Sequence, residues 1–246
     1  MPEKDARDLN QTLNQYLPNK PIIAVVEAEG NMQHLEVKTL DAVIEDFAKL
    51  QSSATLDKDD LTADATLQAF NGTIAANAEY NMASDAYKAV VGVHGLSVHK
   101  LVDMEETCNI TGNISAEGMG FDFLDSRTYM SAKLALVQGN FGKMNLSSMT
   151  ADASLSRGVL KSNLTCDNNQ LKANVGLDAN VGSIIENSLK GRAQKESFEG
   201  KLKLDVDHAD ILAMGFIDTA LVVSTNGYAD FSMADWSSNR PLFLCD

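Results

Sequence analysis

The sequence predicts an all-β protein: an elongated antiparallel sheet with one or two short helices. The main observation is that apolar residues recur at every second position. From Leu171 to Val181 alternate side chains are apolar and the intervening ones are polar or glycine, as in a half-buried β-strand. A similar stretch, Leu160 to Cys166, precedes it. The intervening Asp167-Asn168-Asn169 favours a tight turn, so the two stretches predict a hairpin.

Further stretches with this alternation follow at intervals of about ten residues, the spacing of meandering antiparallel sheets. Asn71-Gly72 predicts the turn of a second hairpin between two of them. The remaining candidate strands are residues 22–28, 35–37, 61–67, 74–80, 90–93, 110–116, 132–136, 202–206 and 221–223.

Small side chains at many of the inward positions favour a thin sheet over a compact sandwich. Aromatic residues make up only 6% of the chain, with Trp236 as the one tryptophan, and many alternating positions hold Ala, Gly or Ser. A sandwich core is normally filled by large side chains. A single sheet with one apolar face does not need them.

Helical patterns are few. Leu9, Leu13 and Leu17 have helical spacing before Pro18, which predicts a short helix and lead-in over residues 1–20. Residues 21–246 form the repetitive sheet. The segment Asp41–Leu50 fits either a second short helix or two strand ends joined by a turn, and the sequence leaves both readings open.

Charge argues against nucleic acid as a partner. The chain has 34 acidic and 20 basic residues and a formal net charge of −14, which repels phosphate backbones. The N-terminal segment lacks the apolar stretch of a signal peptide, and the run Ile22–Val26 is too short to span a bilayer. We therefore expect a soluble chain, either cytoplasmic or cut from a longer, targeted protein.

No motif predicts catalysis, a cofactor or a metal site. The cysteines Cys108, Cys166 and Cys245 are far apart and form no CxxC pair. His94 and His99 are five residues apart, so on one continuous strand they would face opposite ways. Nucleophile–base motifs and calcium-loop spacings are absent. We expect a protein that is not an enzyme.

Gly118-Met119-Gly120 is only a fragment of a phosphate-binding loop. It lacks the third glycine and the lysine of that motif. The pattern is more typical of a break or bulge in a strand.

Four segments carry a family resemblance: residues 17–22, 21–44, 116–181 and 201–216. The stretch that begins at Pro21, PIIAVVEAEGNMQHLEVKTLDAVI, is similar to a recurring unit of AsmA-like proteins. Residues 116–181 resemble the middle of TamB-like proteins (translocation and assembly module) of the Bacteroidetes type. The matching residues are Gly120, Asp122, Phe123, Leu124 and Arg127, followed by Gly158 and Leu160.

The resemblance covers about residues 17–217 and implies an internal segment of a longer periplasmic protein with an inner-membrane anchor. It implies a curled antiparallel sheet that forms an open groove. This groove carries phospholipids between the inner and outer membranes, supports assembly of outer-membrane proteins with an Omp85-type partner, or does both. Phospholipid acyl chains are then the expected ligand. Such an apolar face can solvate them at roughly 0.8 kcal/mol per buried CH₂.

Ten apolar residues are predicted to line this surface because they share a face within their strands. A common face between strands is an assumption, since register is not readable from the sequence. The residues are Leu134, Leu136, Leu160, Leu164, Leu171, Val175, Leu177, Leu202, Leu204 and Val206.

A second hypothesis is an extracytoplasmic β-sandwich that acts as an adhesion or scaffold module. Alternating apolar residues also fit such a closed core. The two hypotheses differ in whether a second sheet covers the apolar face.

Overall fold

The computed structural model describes residues 21–31, 33–100, 105–190, 196–236 and 244–245, and these residues form an open antiparallel sheet. Strands account for 72% of the structure and helix for 4%, which confirms the all-β prediction. The strands are β1 (Ile22–Asn31), β2 (His34–Ile44), β3 (Ala48–Asp57), β4 (Asp60–Ala69), β5 (Gly72–Asn81), β6 (Ala86–Ser97), β7 (Cys108–Met119), β8 (Tyr129–Phe141), β9 (Met144–Asn145), β10 (Met149–Ser156), β11 (Val159–Asp167), β12 (Leu171–Asn180), β13 (Glu196–Asp210), β14 (Val222–Trp236) and β15 (Leu244–Cys245).

The sheet is a meander in which each strand pairs with the next one along the chain. The order is β1 to β8 and then β10 to β15, while the two-residue strand β9 pairs with β8 outside this path. All pairs are antiparallel. At about 4.8 Å between strands, the path from β1 to β15 is about 60 Å long. The described strands do not close on themselves.

The Asn71-Gly72 hairpin forms, but its turn lies one residue earlier than the sequence predicts. Phe70 and Asn71 occupy the two turn positions with φ of 51° and 64°, and Gly72 already pairs with Ala69 as the first residue of β5. Gly72 is needed for another reason. A Cβ atom at this position would lie 2.6 Å from the backbone of Leu96, so only glycine allows β5 and β6 to approach here.

Of the two readings of Asp41–Leu50, the strand-and-turn reading is correct. β2 ends at Ile44, β3 begins at Ala48, and the Phe47 N–H donates to the Ile44 carbonyl across the turn. Leu50 then pairs with Leu67 of β4. Strand pairing overrides the local helical spacing because it buries these side chains against neighbouring strands. The helix predicted within residues 1–20 lies outside the described residues.

Two short helical elements were not predicted from the sequence. A 3₁₀ turn, Val98–Lys100, follows β6, and a helix α1, Gly182–Lys190, connects β12 to β13. Ser183 and Glu186 have the S-x-x-E spacing of a capping box, which is the sequence signal that could have identified α1.

Bulges in four strands keep the apolar residues on one face. In β2 the apolar positions change from odd to even numbers after Val37, and a bulge between Val37 and Leu40 returns both halves to the same side. β6, β8 and β13 contain comparable register shifts, just beyond Val93, Leu136 and Val206 respectively. Without the extra residue, the side chains beyond each shift would point to the opposite face.

The described residues form one layer rather than two. Extensive contacts between strands are confined to hydrogen-bonded neighbours. Among the described residues no large side chain is fully buried. Most of the buried apolar residues lie toward the upper end of the sheet, which we define as the strand ends nearest the Phe70-Asn71 turn; they include Ile44, Val93, Leu96, Cys108, Leu136 and Cys166.

Hydrogen bonds from two side chains join three connections at the upper end. Asn168 Nδ2 donates to the carbonyl oxygens of Asn145 (3.1 Å) and Ser147 (3.0 Å) in the β8–β10 connection. Gln170 Nε2 donates to the carbonyl oxygens of Lys143 (3.1 Å) and Ala213 (2.9 Å), the latter in the β13–β14 connection. The β11–β12 turn therefore fixes the connections on either side of it.

We predict that Asn168→Ala lowers the free energy of unfolding by about 1–3 kcal/mol. The substitution removes the two hydrogen bonds that Asn168 Nδ2 donates and the two that its Oδ1 accepts from the N–H groups of Gln170 and Leu171. Urea denaturation followed by circular dichroism measures the change. Asn174→Ala, at an exposed asparagine on β12, serves as the control and should change stability by less than about 0.5 kcal/mol. Equal effects of the two substitutions would contradict the role given to Asn168.

Candidate functional site: the apolar face of the sheet

All ten residues predicted to line a common surface lie on one face of the sheet. Val175 pairs directly with Leu164 on one side and with Leu204 on the other, and directly paired residues point to the same face. Leu164 pairs with Ala151, which pairs with Leu134. The remaining residues are an even number of positions from these within their strands, or pair with residues that are: Leu136, Leu160, Leu171, Leu177, Leu202 and Val206.

A central row of paired residues crosses the whole sheet at right angles to the strands. It runs without a charged residue from β1 to β14 and consists of Val26, Leu40, Ser52, Ala65, Ala76, Val91, Ile114, Leu134, Ala151, Leu164, Val175, Leu204 and Gly227. Ser52 is its one hydroxyl, and its Oγ donates to the Leu40 carbonyl oxygen at 3.3 Å. The row is therefore effectively apolar along its length.

Next to the central row lies a row of alanines, which we call the alanine row. Seven adjacent strands, β3 to β8 and β10, each contribute one alanine to it: Ala54, Ala63, Ala78, Ala89, Ala116, Ala132 and Ala153. On its other side is a row of larger residues that includes Leu56, Leu61, Tyr80, Tyr87, Met130 and Leu155.

The alanine row is a shallow trough beside larger side chains. On the side away from the central row these are present in every strand but β7, where Gly118 lies; in the central row they are Val91, Ile114 and Leu134 of β6 to β8. Rows on one face are about 6.7 Å apart, so the flanking rows are separated by roughly 13 Å. A methyl group projects less than the Leu, Ile, Val or Tyr side chains beside it. The trough runs across the strands, from β3 to β10.

The middle of the apolar face is uncovered among the described residues. Ile114 and Leu164 in the central row are 40% and 37% exposed, whereas Leu136, nearer the upper end, is 7% exposed. Connections cover the upper end. For example, Leu146 of the β8–β10 connection lies so close to Gly139 that a Cβ atom on this glycine would be 3.2 Å from the leucine Cβ. Exposure is thus concentrated where the central and alanine rows run.

The opposite face is polar and its charges alternate. Glu79, Lys88 and Glu117 are consecutive partners in three neighbouring strands. Further along the sheet Lys161, Asp178, Lys201 and Asp230 form a second such series, and Lys161 Nζ lies 3.2 Å from Asp178 Oδ2. Alternating signs place attractive charges opposite one another. The two faces therefore differ sharply in chemistry.

Three aromatic rings border the apolar face at its lower end, the end opposite to the Phe70-Asn71 turn. The ring of Phe121 stacks on Tyr87 at 5.2 Å between centroids and lies 6.2 Å from Tyr80. Tyr80 Oη donates to Asp85 Oδ1 at 2.6 Å, and this hydrogen bond raises the pKa of Tyr80. The cluster leaves Phe121 60% exposed.

The residues that carry the family resemblance meet at this lower end. Strand β7 ends at Met119 and Gly120 has φ of 73°, as expected for a strand break. The Gly158 N–H donates to the Phe123 carbonyl oxygen at 2.9 Å, so the β7–β8 connection is fixed to the β10–β11 turn. The Arg127 backbone N–H donates to Asp125 Oδ1 at 2.8 Å, and the guanidinium donates to the same carboxylate; together they lower the pKa of Asp125. Each of these contacts holds a connection in place.

Histidines and cysteines form no reactive site in the part of the chain that the structure describes. His99 is on the 3₁₀ turn, where its Nδ1 lies 3.1 Å from both the backbone nitrogen and the carbonyl oxygen of Cys108. Burial raises the pKa of the Cys108 and Cys166 thiols, and Asp167 adds to the effect at Cys166. Within the described ranges no three metal-ligating side chains come together.

The polar face carries shallow depressions that bring no catalytic groups together. One of about 630 Å³ lies at the upper end, between the Phe47–Phe70 ring pair and His94. Another of about 390 Å³ lies at the lower end beside Glu79, Lys88 and Tyr129. Both are wide open to solvent.

The comparisons with known proteins identify no relative: no family model, no curated protein and no solved structure matches the chain. Among the described residues, no helix has the length and apolar character needed to cross a lipid bilayer. The geometry of the sheet is therefore the basis on which a function can be proposed.

We predict that Ala116→Leu, in the alanine row, changes the free energy of unfolding by less than about 1 kcal/mol, because the larger side chain projects into open space. Ala179→Leu is the matched comparison. Ala179 is 1% exposed, so the same enlargement should cost about 1–3 kcal/mol by overpacking. Urea denaturation measures both. A large loss for Ala116→Leu would show that a further layer covers the alanine row.

Proposed function

We propose that the apolar face binds phospholipid acyl chains and conducts them along the sheet, within an envelope protein of the TamB-like type. The observation that carries the proposal is the central row, which has no charged residue in the thirteen strands on the path from β1 to β14 and is uncovered among the described residues. Exposed apolar surface of this extent is rare in soluble monomers and usually marks a binding surface.

An acyl chain is the ligand that suits a long, narrow, apolar surface without polar anchoring groups. Burial of methylene groups contributes roughly 0.8 kcal/mol for each one fully removed from water, and a single-layer face recovers part of this. The phosphate headgroup stays in water, since the face offers it no charged partner. A headgroup that stays in water also fits the net charge of −14, because this charge repels anionic headgroups from the protein surface.

The alanine row supplies a path for the chain. A chain in the trough contacts methyl groups below it and larger side chains on at least one side, and on both sides in β6 and β8, for example Leu134 and Met130 beside Ala132. Each of seven neighbouring strands contributes one alanine to the row. The binding energy of an acyl chain is therefore similar at neighbouring positions along it. The chain can then move from strand to strand without leaving the apolar surface.

The wider setting follows from the resemblance and belongs to the same proposal. The central row, about 60 Å long, supplies one stretch of a conduit across the periplasm between the inner and outer membranes. In this setting the chain works as a segment of a protein anchored in the inner membrane, with an Omp85-type partner in the outer membrane, and catalyses no reaction. In the same setting, the chain has a second role, which is to support the assembly of outer-membrane proteins.

The alternative of an adhesion or scaffold module with a closed core has less support. It requires a second sheet packed on the apolar face, and the described strands form a single layer. The single layer favours a surface that receives a ligand.

We predict that a photoreactive benzophenone side chain at Val175 crosslinks to phospholipid, while the same group at the neighbouring Asn174 does not. Val175 lies in the central row, and Asn174 is exposed on the polar face. The purified chain is irradiated with radiolabelled phosphatidylethanolamine vesicles and labelled protein is quantified after lipid extraction. Equal labelling at both positions, or none at either, would count against a lipid conduit.

We predict that Ala132→Phe slows lipid transfer between donor and acceptor vesicles at least several-fold, because the ring obstructs the alanine row. Ala135→Phe is the matched control: it lies three residues further along β8, exposed on the polar face. Fluorescent phospholipid transfer measures the rate, and circular dichroism checks that both variants fold. If both variants transfer lipid at the unsubstituted rate, the alanine row is not the path.

A further inference from the structure

Among the described residues, nothing pairs with the outer edge of β1. β1 pairs with β2 on one side, from Ile22↔Ile44 to Asn31↔His34, and no other described strand pairs with it. Such an edge is a template for another strand. The sheet has a second outer strand, β14, which β15 covers only at Phe231 and Ser232.

The first half of β1 is apolar on both faces. Ile22 and Val26 point to the apolar face and are 56% and 60% exposed, while Ile23 and Val25 point to the polar face and are 67% and 61% exposed. In β2 and β3 the partners aligned with Val25 are Asp41 and Gln51. Solvated edge strands usually carry lysine, proline or an inward charge. The segment Ile22–Val26 has none of these.

The second half of β1 is unsuited to pairing. It contains the acidic residues Glu27 and Glu29, and it faces the bulge of β2, where Glu27 pairs with Thr39 and Ala28 with Val37. Gly30 has φ of 129°. Bulges and charges discourage the addition of a strand. The edge available for pairing is therefore the five-residue segment Ile22–Val26.

We propose that this edge binds a second copy of the chain, with the two β1 strands antiparallel about a twofold axis at Ala24. In this arrangement Ile22 faces Val26 of the other copy and Ile23 faces its Val25, so all exposed apolar side chains of the segment meet apolar partners. The segment is self-complementary, as a closed twofold interface requires.

Charge selects the antiparallel arrangement of the two copies. When the axis passes through Ala24, the acidic halves of the two strands extend in opposite directions and do not meet. A parallel, in-register pair would place Glu27 against Glu27 and Glu29 against Glu29, and like charges directly opposite are destabilising. This matters for a chain whose net charge is −14.

The pairing joins the apolar faces of the two copies. A twofold axis perpendicular to the sheet leaves both apolar faces on the same side, so the two faces are continuous across the β1 edges. The central row of each copy meets Ile22 of the other, and the two central rows are offset by four residues, about 13 Å. The paired segment is only five residues long, which is small beside the roughly 800 Å² that each partner buries in a standard interface. The dimer is therefore reversible and depends on concentration.

Sedimentation velocity over a range of concentrations, without lipid or detergent, tests the self-association. Val25→Lys should raise the dimer dissociation constant at least about tenfold, because it places a charge in the paired edge. Val222→Lys is the matched control, since Val222 is 59% exposed on the opposite outer strand β14. A chain that stays monomeric at every concentration, or equal effects of both substitutions, would overturn the proposal.

Cysteine crosslinking tests the register independently of affinity, in a chain whose Cys245 is replaced by serine. Ala24→Cys should form a disulfide between copies under mild oxidation, because residues on the axis have the Cα separation that a disulfide needs. Ala28→Cys, the same substitution on the same face, should not, since its copies lie about 27 Å apart. Disulfides at both positions would indicate parallel pairing, and disulfides at neither would exclude this edge.

Discussion

The alignment of alternating residues across neighbouring strands is the constraint on which this structure depends. A period of two gives each strand an apolar and a polar side, but the sides combine into two distinct faces only if every pair keeps the correct register. If the pairing of β11 with β12 shifted by one residue from Leu164↔Val175, the apolar side chains of β12 would point to the polar face. The bulges serve the same constraint. In β2, one extra residue between Val37 and Leu40 restores the alternation after the sequence loses it.

A sheet of this kind obtains its stability from neighbouring strands and from its ends. The strands contact chiefly their hydrogen-bonded neighbours, and the described residues include no fully buried large side chain. The better-buried residues, such as Leu96 and Cys166, lie toward the upper end, where Asn168 and Gln170 fix the connections together. The middle of the sheet is left free of covering connections. The best-buried residues and the uncovered part of the apolar face therefore lie at different positions along the same strands.

The three surfaces of the sheet differ in what they can bind. The apolar face offers methyl groups and larger aliphatic side chains in straight rows, and it suits a flexible apolar ligand. The polar face has alternating charges, such as those of Lys161 and Asp178, that satisfy one another and leave little net attraction. The edge at Ile22–Val26 offers backbone hydrogen bonds flanked by apolar side chains, and it suits another strand. Ligand binding on the face and strand pairing at the edge are compatible because they use different groups.

The sequence did not predict β10 or most of β3 and β14. It did predict most of the other long strands, the two hairpins and the shared side of the apolar residues within those strands. It did so because alternation and turn propensity are local properties, readable within stretches such as Leu160–Val181. It could not decide between helix and strand at Asp41–Leu50, and it placed the Phe70-Asn71 turn one residue late, because pairing with β4 and the close approach of Gly72 to Leu96 fixed those details. The alanine row could not be predicted from the sequence either. Each alanine has several apolar neighbours within its own strand, and only the register of seven strands aligns Ala54 through Ala153. Whether the apolar residues formed a closed core or an uncovered face was likewise a tertiary outcome, because alternation looks the same in a strand whether or not a second sheet packs upon it.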